Sequence, residues 1–592
     1  MRKHVLTRMF GFVFHHYKWA IVVVLACVLI SSLTSLVSSL FIKTLIDDYI
    51  VPLTKMDNPE YASLARTLFI LAFILFFGTI CSFTYNRLMI HISQGTMLRL
   101  RQQLFKKMQR LPISYFDQRS HGDIMSVYTN DIDSLRQMIS TAMAQVFSSV
   151  ITIIATFTSM VVLSIPLTLV SILMAVVMMA ATTQLGKRSR TFFRTQQQSL
   201  ARVNGFIEEM MTGQKIVKVF CHEQQAIQDF ETINEQLRSS AYNANRIANI
   251  VMPVNGGLGN FGYVLLAVVG ATIAINSHLT PDSGLLPPDF SISLGTVVAF
   301  LQLNKSFIQP ISHISQQVNS VLNASVGAER IFDLQDAEAE VDEGTHILTN
   351  PQGDVDFKEV DFCYIPGKQV LFDIDINTNP GQKIAFVGGT GAGKTTIINL
   401  INRFYEIQGG HILYDGIPIT EIQKESLRKG MSIVLQETHL FTGTVIDNIR
   451  YGKLDATDEE CIKAAQMVGA DDFIRRLSDG YLTMLKGDGD NLSQGERQLL
   501  AIARAAVANP PVLILDEATS SIDTHTEQLV QRGMDTIMQG RTTFVIAHRL
   551  STVRNADQII VLDHGRIIEH GTHDSLLKQK GKYYQLYTGK EI

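Results

Sequence analysis

Apolar positions divide the chain into two parts of different character. Residues 1 to about 325 contain six apolar runs, each close to the roughly 20 residues that a helix needs to span a hydrocarbon core. The predicted runs lie near residues 19–42, 65–86, 142–163, 166–185, 250–275 and 293–315. The third and fourth runs are nearly continuous, and Pro166 is expected to break them into a tight hairpin.

Two polar segments between these runs continue the helical pattern. Residues 62–111 contain no proline, and apolar positions such as Leu100 and Leu104 recur at helical spacing. As a single helix at 1.5 Å per residue, this stretch would be about 70 Å long and would extend well beyond a bilayer. Residues 187–246 are predicted to form a second pair of long helices, joined near Gly213.

The far tips of these two helix pairs fall at residues 112–133 and 208–220. Periodicity alone leaves two interpretations open. The tips either end plain soluble hairpins, or they act as levers, around residues 115–117 and 211–213, that touch the second half of the chain.

Lysine and arginine favour one side of the predicted membrane. The N-terminal tail and the segments 87–140 and 187–246 are basic, whereas Lys55 is the only basic residue in the opposite loops, 50–62 and 276–292. Because short cytoplasmic loops carry the excess of positive charge, the N-terminus and everything after residue 325 are predicted to be cytoplasmic. The basic start lacks a small-residue cleavage site, so the first run is expected to be retained.

Composition narrows the class of protein. Of the 592 residues, 46% are hydrophobic and 18% are charged, against about 25% charged in ordinary soluble domains. This mixture excludes intrinsic disorder, a collagen-like chain and a wholly soluble enzyme. The net charge of −4 does not indicate a nucleic-acid partner, and the five cysteines lack the spacing of a disulfide framework or a zinc site.

Residues 340–592 alternate short β-branched runs with helical patterns, which predicts a parallel α/β sheet. A strand at 383–388 runs directly into the pattern GxxxxGK[ST], the phosphate loop or Walker A motif. The residues assigned to it are Gly388, Gly389, Thr390, Gly391, Ala392, Gly393, Lys394, Thr395 and Thr396. Glycines let backbone amides converge on phosphate, Lys394 adds a cation for the β and γ phosphates, and Thr395 offers a hydroxyl to Mg²⁺. ATP and Mg²⁺ are therefore the predicted cofactors.

A second buried strand, 511–515, ends in two adjacent acids. Ligands bind at the carboxyl ends of strands in such sheets, so Asp516 is predicted to reach the metal. Glu517 would then orient and deprotonate the attacking water.

Further motifs lie around these strands: Leu-Ser-Gln-Gly-Glu-Arg at 492–497, Ser-Ser-Ile-Asp at 520–523, Gln436 after one apolar run and His548 after another. Taken together, the second half resembles the nucleotide-binding domain of ABC transporters. With six spans before it in one chain, the protein resembles a bacterial ABC exporter half-transporter of the multidrug and lipid-flippase type. The resemblance implies a six-helix transmembrane domain (1–325), a linker (326–339) and an α/β ATP-binding domain (340–592).

The resemblance also implies roles for single residues. Tyr364 matches the aromatic that stacks on adenine, although a strand aromatic packed in a core is the alternative. Gln436 matches a residue that reaches Mg²⁺ and the water, His548 the contact to the γ-phosphate, and Asp523 a nucleotide-binding position. Ser493 and Gly495 match the signature that caps ATP bound to the opposite subunit.

This cross-subunit arrangement implies a dimer. Gln494 and Glu496 depart from the commonest signature, Leu-Ser-Gly-Gly-Gln, and 486–489 reads Lys-Gly-Asp-Gly where exporters usually show a glutamate. Such departures beside an intact Glu517 resemble the more active half of heterodimeric exporters. A heterodimer is favoured, and a homodimer remains open.

The predicted function is ATP-driven export of hydrophobic or amphipathic compounds (a drug, lipid or peptide) across the plasma membrane by alternating access. An importer, or an ATP-gated channel or regulator on the same fold, is the alternative. Polar residues in the last two spans would face a central cavity or form helix–helix hydrogen bonds. They are Asn255, Asn260, Gln302, Asn304, Lys305 and Gln309.

Overall fold

The computed structural model describes most of the chain. The described residues are 2–55, 61–279, 292–436, 438–516, 524–546 and 553–589. Contacts between Cα atoms divide the chain into two units. One unit comprises Met1–Gln109 and His121–Ala337, and the other comprises Arg110–Ser120 and Glu338–Ile592.

The long elements of the first unit are all helices. The helices before residue 340, including the short α4 of the second unit, are α1 (Arg2–Thr44), α2 (Val51–Leu53), α3 (Ala62–Met108), α4 (Ile113–Asp117), α5 (His121–Ser126), α6 (Ile132–Gln137), α7 (Met143–Leu163), α8 (Ile165–Thr212), α9 (Gln214–Val219), α10 (Glu223–Leu279) and α11 (Leu294–Asp336). Three π-helical segments interrupt them, at Leu45–Ile50, Val127–Asp131 and Met138–Ala142.

Five helical runs within the described residues are long and apolar enough to cross a membrane, judged by length and composition. They are Thr7–Leu53, Ala62–Met108, His121–Leu163, Ile165–Thr212 and Glu223–Ile275. Each contains one of the first five predicted spans. The sixth predicted span, 293–315, opens helix α11, which does not join these five because Gln302, Asn304 and Lys305 lower its hydropathy.

Helix α11 runs into the predicted linker. It continues to Asp336, so most of the stretch 326–339 is helical. Ala328 and Ile331 are completely buried, and Leu334 is nearly so. Because these positions recur at helical spacing, burial of their apolar face keeps the helix going past residue 325.

The predicted break at Pro166 is confirmed. Helix α7 ends at Leu163, Ser164 is extended (φ −166°, ψ 113°), and α8 begins at Ile165 with the proline in its first turn. Proline is favoured there because its missing N–H would have no helical partner. The long predicted helices are confirmed too, since α3 has 47 residues and α8 has 48.

Two acidic side chains fix helix α11 within the first unit. Asp47 accepts hydrogen bonds from the Ser293 hydroxyl and from the backbone N–H of Gly295 (3.0 Å), at the N-terminus of the helix. Arg330 donates to the buried Asp131 at 2.6 Å, less than two turns before the helix ends at Asp336. Both ends of the described helix are therefore held by carboxylates.

The polar residues predicted for the last two spans have different surroundings. Asn255 accepts a hydrogen bond from the Thr182 hydroxyl at 2.8 Å, so it joins helices α8 and α10. Asn304 is 3% exposed, and its amide oxygen has no partner among the described residues. Lys305 and Gln302 are exposed on the surface of the single chain.

The second unit is built on sheets. Its strands are β1 (Val355–Ile365), β2 (Lys368–Ile376), β3 (Lys383–Gly388), β4 (Gly409–Tyr414), β5 (Ile417–Pro418), β6 (Met431–Val434), β7 (Gly443–Thr444), β8 (Met484–Leu485), β9 (Val512–Asp516), β10 (Thr542–Ile546), β11 (Gln558–Asp563) and β12 (Arg566–Gly571). The main sheet has the order β12-β11-β3-β10-β9-β6 and is parallel except for β12. A separate sheet, β2-β1-β4-β5, is antiparallel, so the predicted parallel sheet is only part of a mixed architecture.

Helices flank the main sheet and bury its central strands. They are α12 (Lys394–Ile401), α13 (Lys424–Lys429), α14 (Val445–Arg450), α15 (Asp458–Met467), α16 (Asp471–Ile474), α17 (Gln494–Ala508), α18 (Thr524–Met538), α19 (His573–Gln579) and α20 (Lys582–Thr588). Phe386 and Phe544, on neighbouring strands β3 and β10, are fully buried and stack at 6.1 Å. Strands buried on both faces explain the continuous apolar runs of the sequence.

Candidate nucleotide-binding site

The phosphate loop connects β3, near the middle of the main sheet, to helix α12. Its last glycine, Gly393, has φ +106°, and a Cβ atom there would lie 2.7 Å from a methyl group of Leu371. At the loop entrance, a Cβ on Gly388 would lie 2.3 Å from the carbonyl oxygen of Leu562. The backbone path of the loop therefore requires glycine at both ends.

Lys394 is buried beneath this loop. Its Nζ donates hydrogen bonds to the carbonyl oxygens of Gly388 (2.8 Å) and Gly389 (2.9 Å). Burial lowers the pKa of Lys394, and the negative charge of Asp516 opposes that shift. A cation held in place by the loop carbonyls is thus available to phosphate groups.

The loop is exposed at its tip and buried where it enters the helix. Gly389, Thr390 and Gly391 are exposed, whereas Ala392 and Thr396 are buried. Thr395 is exposed, one residue after Lys394. An exposed loop tip and the exposed Thr395 therefore flank a buried cation in the sequence, which is an arrangement suited to binding phosphate.

The register of the main sheet brings further predicted residues to the same edge. Ile546 of β10 lies opposite both Phe386 of β3 and Asp516 of β9. Val434 of β6 lies opposite Leu515 of β9, so the exposed Gln436 follows at the same carboxyl edge. Parallel strands thus deliver the phosphate loop, Asp516 and Gln436 to one side of the sheet.

Three predicted residues, Glu517, Asp523 and His548, lie outside the described residues. Glu517 follows Asp516 directly in the sequence, and His548 comes two residues after Ile546.

The side chains predicted to hold Mg²⁺ carry suitable donor atoms. Thr395 offers a hydroxyl, Asp516 a carboxylate and Gln436 an amide carbonyl. Mg²⁺ prefers such oxygen ligands, supplemented by phosphate oxygens and water. The chemistry of the donor set therefore fits the ion.

Tyr364 lies beside the phosphate-loop helix. Its hydroxyl donates to Thr396 Oγ1 at 3.2 Å and accepts from Asn399 Nδ2 at 3.3 Å, and both partners belong to α12. Its ring packs edge-on against Phe362 (4.8 Å between centroids) and Tyr405 (4.9 Å). The side chain nevertheless remains 38% exposed, so an aromatic surface stays available next to the loop.

The signature segment opens helix α17. Ser493 is the N-cap of this helix and forms a capping box with Glu496, whereas Gly495 is buried. A serine followed three residues later by a glutamate is typical of a helix N-terminus, so the sequence indicates this capping contact. Among the described hydrogen bonds, those of the Ser493 side chain go to Glu496 and not to the phosphate loop.

Two contacts of Tyr405, with Tyr364 and with Asp117, were not predicted from the sequence. Tyr405, from a loop after α12, packs against Tyr364, and its hydroxyl donates to Asp117 of helix α4. The pair is separated by 288 residues, so no local spacing could indicate it.

A phosphate loop at the carboxyl edge of a mainly parallel sheet, preceded by long apolar helices, defines a membrane protein with a nucleotide-binding domain. Comparison with family models assigns both parts. Residues 21–310 match the ABC transporter transmembrane region, and residues 371–520 match the ABC transporter family model.

Similar proteins span nearly the whole chain. The chain is 40% identical over 572 residues to the "Uncharacterized ABC transporter ATP-binding protein YfiC" of Bacillus subtilis, covering 96% of this chain and 92% of the relative. It is 39% identical to a fatty acid ABC transporter ATP-binding/permease protein of Mycobacterium bovis, covering 89% and 82%. The structure of a bacterial Atm1-family ABC exporter with ATP bound aligns with a TM-score of 0.76 and 25% identity, over 97% of this chain and 99% of that one.

The chain therefore belongs to the ABC transporter family, as an exporter with a transmembrane region fused to an ATP-binding domain. It is a multi-pass membrane protein, its ATP-binding domain follows the transmembrane part, and this half-transporter architecture implies a dimer.

Proposed function

We propose that this protein exports a hydrophobic or amphipathic compound across the plasma membrane by alternating access, driven by ATP hydrolysis. The observation that carries the proposal is the buried Lys394, held under an exposed glycine loop in a chain that begins with long apolar helices. The name of the mycobacterial relative, a fatty acid transporter, supports a lipid-like substrate.

In this proposal the loop amides and Lys394 bind the phosphates of ATP, and Tyr364 stacks on the adenine. Thr395, Gln436 and Asp516 would hold Mg²⁺, which neutralises phosphate charge when it is bound. The phosphate loop, the Asp516 carboxylate and the Gln436 amide lie at the same edge of the main sheet, which supports this set of contacts. Asp523 would add a further contact to the nucleotide.

Catalysis is assigned to three side chains. Glu517 would accept the proton of the attacking water, Gln436 would orient that water, and His548 would donate to the γ-phosphate. Asp516 lies at the carboxyl end of β9, the edge of the sheet from which the phosphate loop departs, and Glu517 follows it directly in the sequence, which supports this assignment.

Each ATP would be closed between the phosphate loop of one subunit and the Ser493–Gly495 signature of another. We propose that the partner is a different half-transporter, so that the working unit is a heterodimer. The departures at Gln494 and Glu496, beside an intact Glu517, support this choice.

Reconstituted vesicles test the proposed function. Co-expressed, purified protein in inside-out vesicles should accumulate a fluorescent fatty acid or a lipophilic dye only when Mg-ATP is added outside. Glu517→Gln should bind ATP normally while transport and hydrolysis fall by about two orders of magnitude or more.

Two results would contradict different parts of the proposal, the catalytic role of Glu517 and the transport of a compound. Uptake by Glu517→Gln at the parental rate would disprove its role as general base. ATP hydrolysis without movement of any compound across a panel of lipids and dyes would instead favour a channel or regulator.

A further inference from the structure

The tip segment, residues 110–120, connects helix α3 to helix α5 but belongs to the ATP-binding unit by its contacts. It contains the short helix α4, and the backbone N–H of Glu340 donates to the carbonyl of Arg110 at 2.7 Å. Arg119 stacks over the ring of Tyr115 at 4.0 Å. A piece of chain that joins two membrane-domain helices is thus built into the unit that carries the phosphate loop.

A side-chain hydrogen bond joins the tip segment to the loop after helix α12. The hydroxyl of Tyr405 donates to the carboxylate of Asp117, the last residue of α4. Burial and this hydrogen bond raise the pKa of Tyr405, so its hydroxyl stays protonated and remains a donor at neutral pH.

The loop that carries Tyr405 is anchored on both sides of it. Arg403 is 4% exposed and donates to the carbonyl oxygens of Ile419 (2.9 Å) and Ile422 (3.1 Å). Glu406 pairs with Arg403 at 3.0 Å and with Lys424 at 3.1 Å. Because both neighbours are fixed, the position of the Tyr405 side chain depends on its own two contacts, the Asp117 carboxylate and the aromatic rings.

The ring of Tyr405 is the second contact. It packs edge-to-face against Tyr364, with centroids 4.9 Å apart and an interplanar angle of 88°. Phe362, which lies on strand β1 with Tyr364, contacts the rings of both Tyr364 and Tyr405. The hydroxyl of Tyr364 is held by α12, and Phe362 lies on the same strand, so Tyr405 is the ring contact of Tyr364 that comes from outside β1 and α12.

We propose that Tyr405 is a positioning residue for the nucleotide, through which Asp117 of the tip segment fixes the ring of Tyr364 against adenine. Tyr405 itself touches neither phosphate nor metal in this arrangement. Movement of the tip segment would then change how well the site holds the adenine base. The inference rests on the proposed function, in which Tyr364 is the adenine platform.

Binding measurements on the full chain in lipid nanodiscs test this inference. Mg-ADP reports on adenine and phosphates together, whereas Mg-pyrophosphate reports on the phosphate loop alone. Calorimetric Kd values would be compared for the parent, Tyr405→Phe, Asp117→Ala and their double variant. Asp117→Asn keeps an oxygen acceptor for the Tyr405 hydroxyl and serves as the conservative replacement.

Tyr481 provides a matched control in the same unit. Its hydroxyl donates to Asp471 at 2.6 Å, so Tyr481→Phe removes an equivalent tyrosine–aspartate hydrogen bond that has no contact with Tyr364. Tyr481→Phe should therefore leave the Kd for Mg-ADP unchanged.

We expect Tyr405→Phe and Asp117→Ala each to raise the Kd for Mg-ADP about two- to tenfold, the range of one net hydrogen bond. The double variant should lose no more than the larger single variant, because both remove the same contact. Asp117→Asn should restore most of the affinity, and the Kd for Mg-pyrophosphate should stay within about twofold.

The inference is overturned if Tyr364→Ala weakens Mg-ADP binding while the Tyr405 and Asp117 variants bind like the parent. In that case the nucleotide site itself still stands. Equal losses for Mg-ADP and Mg-pyrophosphate would also overturn it, because the contact would then act on the whole domain. A parent chain that binds neither ligand would instead refute the proposed function.

Discussion

The carboxylate of Glu496 accepts hydrogen bonds from both the backbone N–H and the hydroxyl of Ser493, each at 2.8 Å. The hydroxyl in turn accepts from the backbone N–H of Glu496. Ser493 is therefore engaged by a negative charge at the start of α17, the place where the signature would meet a triphosphate. In the proposed function, ATP bound at the signature would compete with this carboxylate, because the two negative charges repel each other.

The first prediction concerns this charge. Glu496→Gln keeps an amide oxygen that can cap the helix but removes the repulsion of the γ-phosphate. Loss of about 1 kcal/mol of repulsion should lower the ATP concentration for half-maximal hydrolysis about fivefold. Steady-state ATP hydrolysis by the assembled transporter measures this concentration. An unchanged or higher ATP concentration for half-maximal hydrolysis would contradict the prediction.

Helix α15 offers a matched control for that experiment. Glu460 occupies the same position in a capping box with Thr457. Glu460→Gln removes a charge from an equivalent helix start outside the signature, so half-saturation should not change. Both variants should lose similar amounts of thermal stability, because each removes a favourable charge at a helix N-terminus worth about 0.3–1 kcal/mol.

A second prediction concerns the buried cation. Lys394→Ala removes a charged donor and leaves the Gly388 carbonyl without this partner. Hydrogen bonds to charged groups are worth about 1.5–3 kcal/mol, so the Kd for Mg-ATP should rise at least about tenfold. Equilibrium binding to full-length protein measures the change. Lys383→Ala removes the same charge from the opposite end of β3 and should leave the Kd unchanged.

The phosphate loop could be predicted because its chemistry is local. The assigned residues, Gly388 to Thr396, are consecutive in the chain, and the strand before them has a continuous apolar pattern. The contact between Asp117 and Tyr405 could not, because it depends on the tertiary path of two distant segments. The helical course of 326–336 was open to prediction, since Ala328, Ile331 and Leu334 follow helical spacing.

The contacts and exposure of the polar residues in the predicted spans also could not be predicted from the sequence pattern. Asn255 and Lys305 both interrupt apolar runs, yet one is hydrogen-bonded between helices and the other is exposed on this chain. A pattern indicates that a polar residue sits at membrane depth, but the rotation of each helix decides what it meets.

A third prediction concerns the stability of the ATP-binding unit. Arg403→Ala removes a buried guanidinium and leaves the carbonyls of Ile419 and Ile422 without their donor. The cost of about 2–4 kcal/mol should lower the Tm by roughly 5–15 °C. A thiol-reactive dye can follow unfolding, because Cys461 in this unit is completely buried.

Arg475 is the control for the stability experiment. It pairs with Asp471 at 2.8 Å, but its side chain is 61% exposed. Exposed ion pairs contribute about 0–1 kcal/mol, so Arg475→Ala should shift the Tm by less than about 4 °C. Equal shifts for both arginines would mean that burial of Arg403 does not stabilise the unit.

The last prediction concerns the second subunit. In a heterodimer of the proposed kind, the catalytic carboxylate of this chain serves the more active site and its partner carries a weakened one. Glu517→Gln should then reduce hydrolysis by the pair about a hundredfold or more, whereas replacing the weakened carboxylate of the partner by the corresponding amide should alter it less than about threefold. Native mass spectrometry of co-expressed subunits should show one copy of each. This chain expressed alone should form no ATP-stabilised dimer, and a homodimer of this chain that hydrolyses ATP at the rate of the pair would reject the heterodimer.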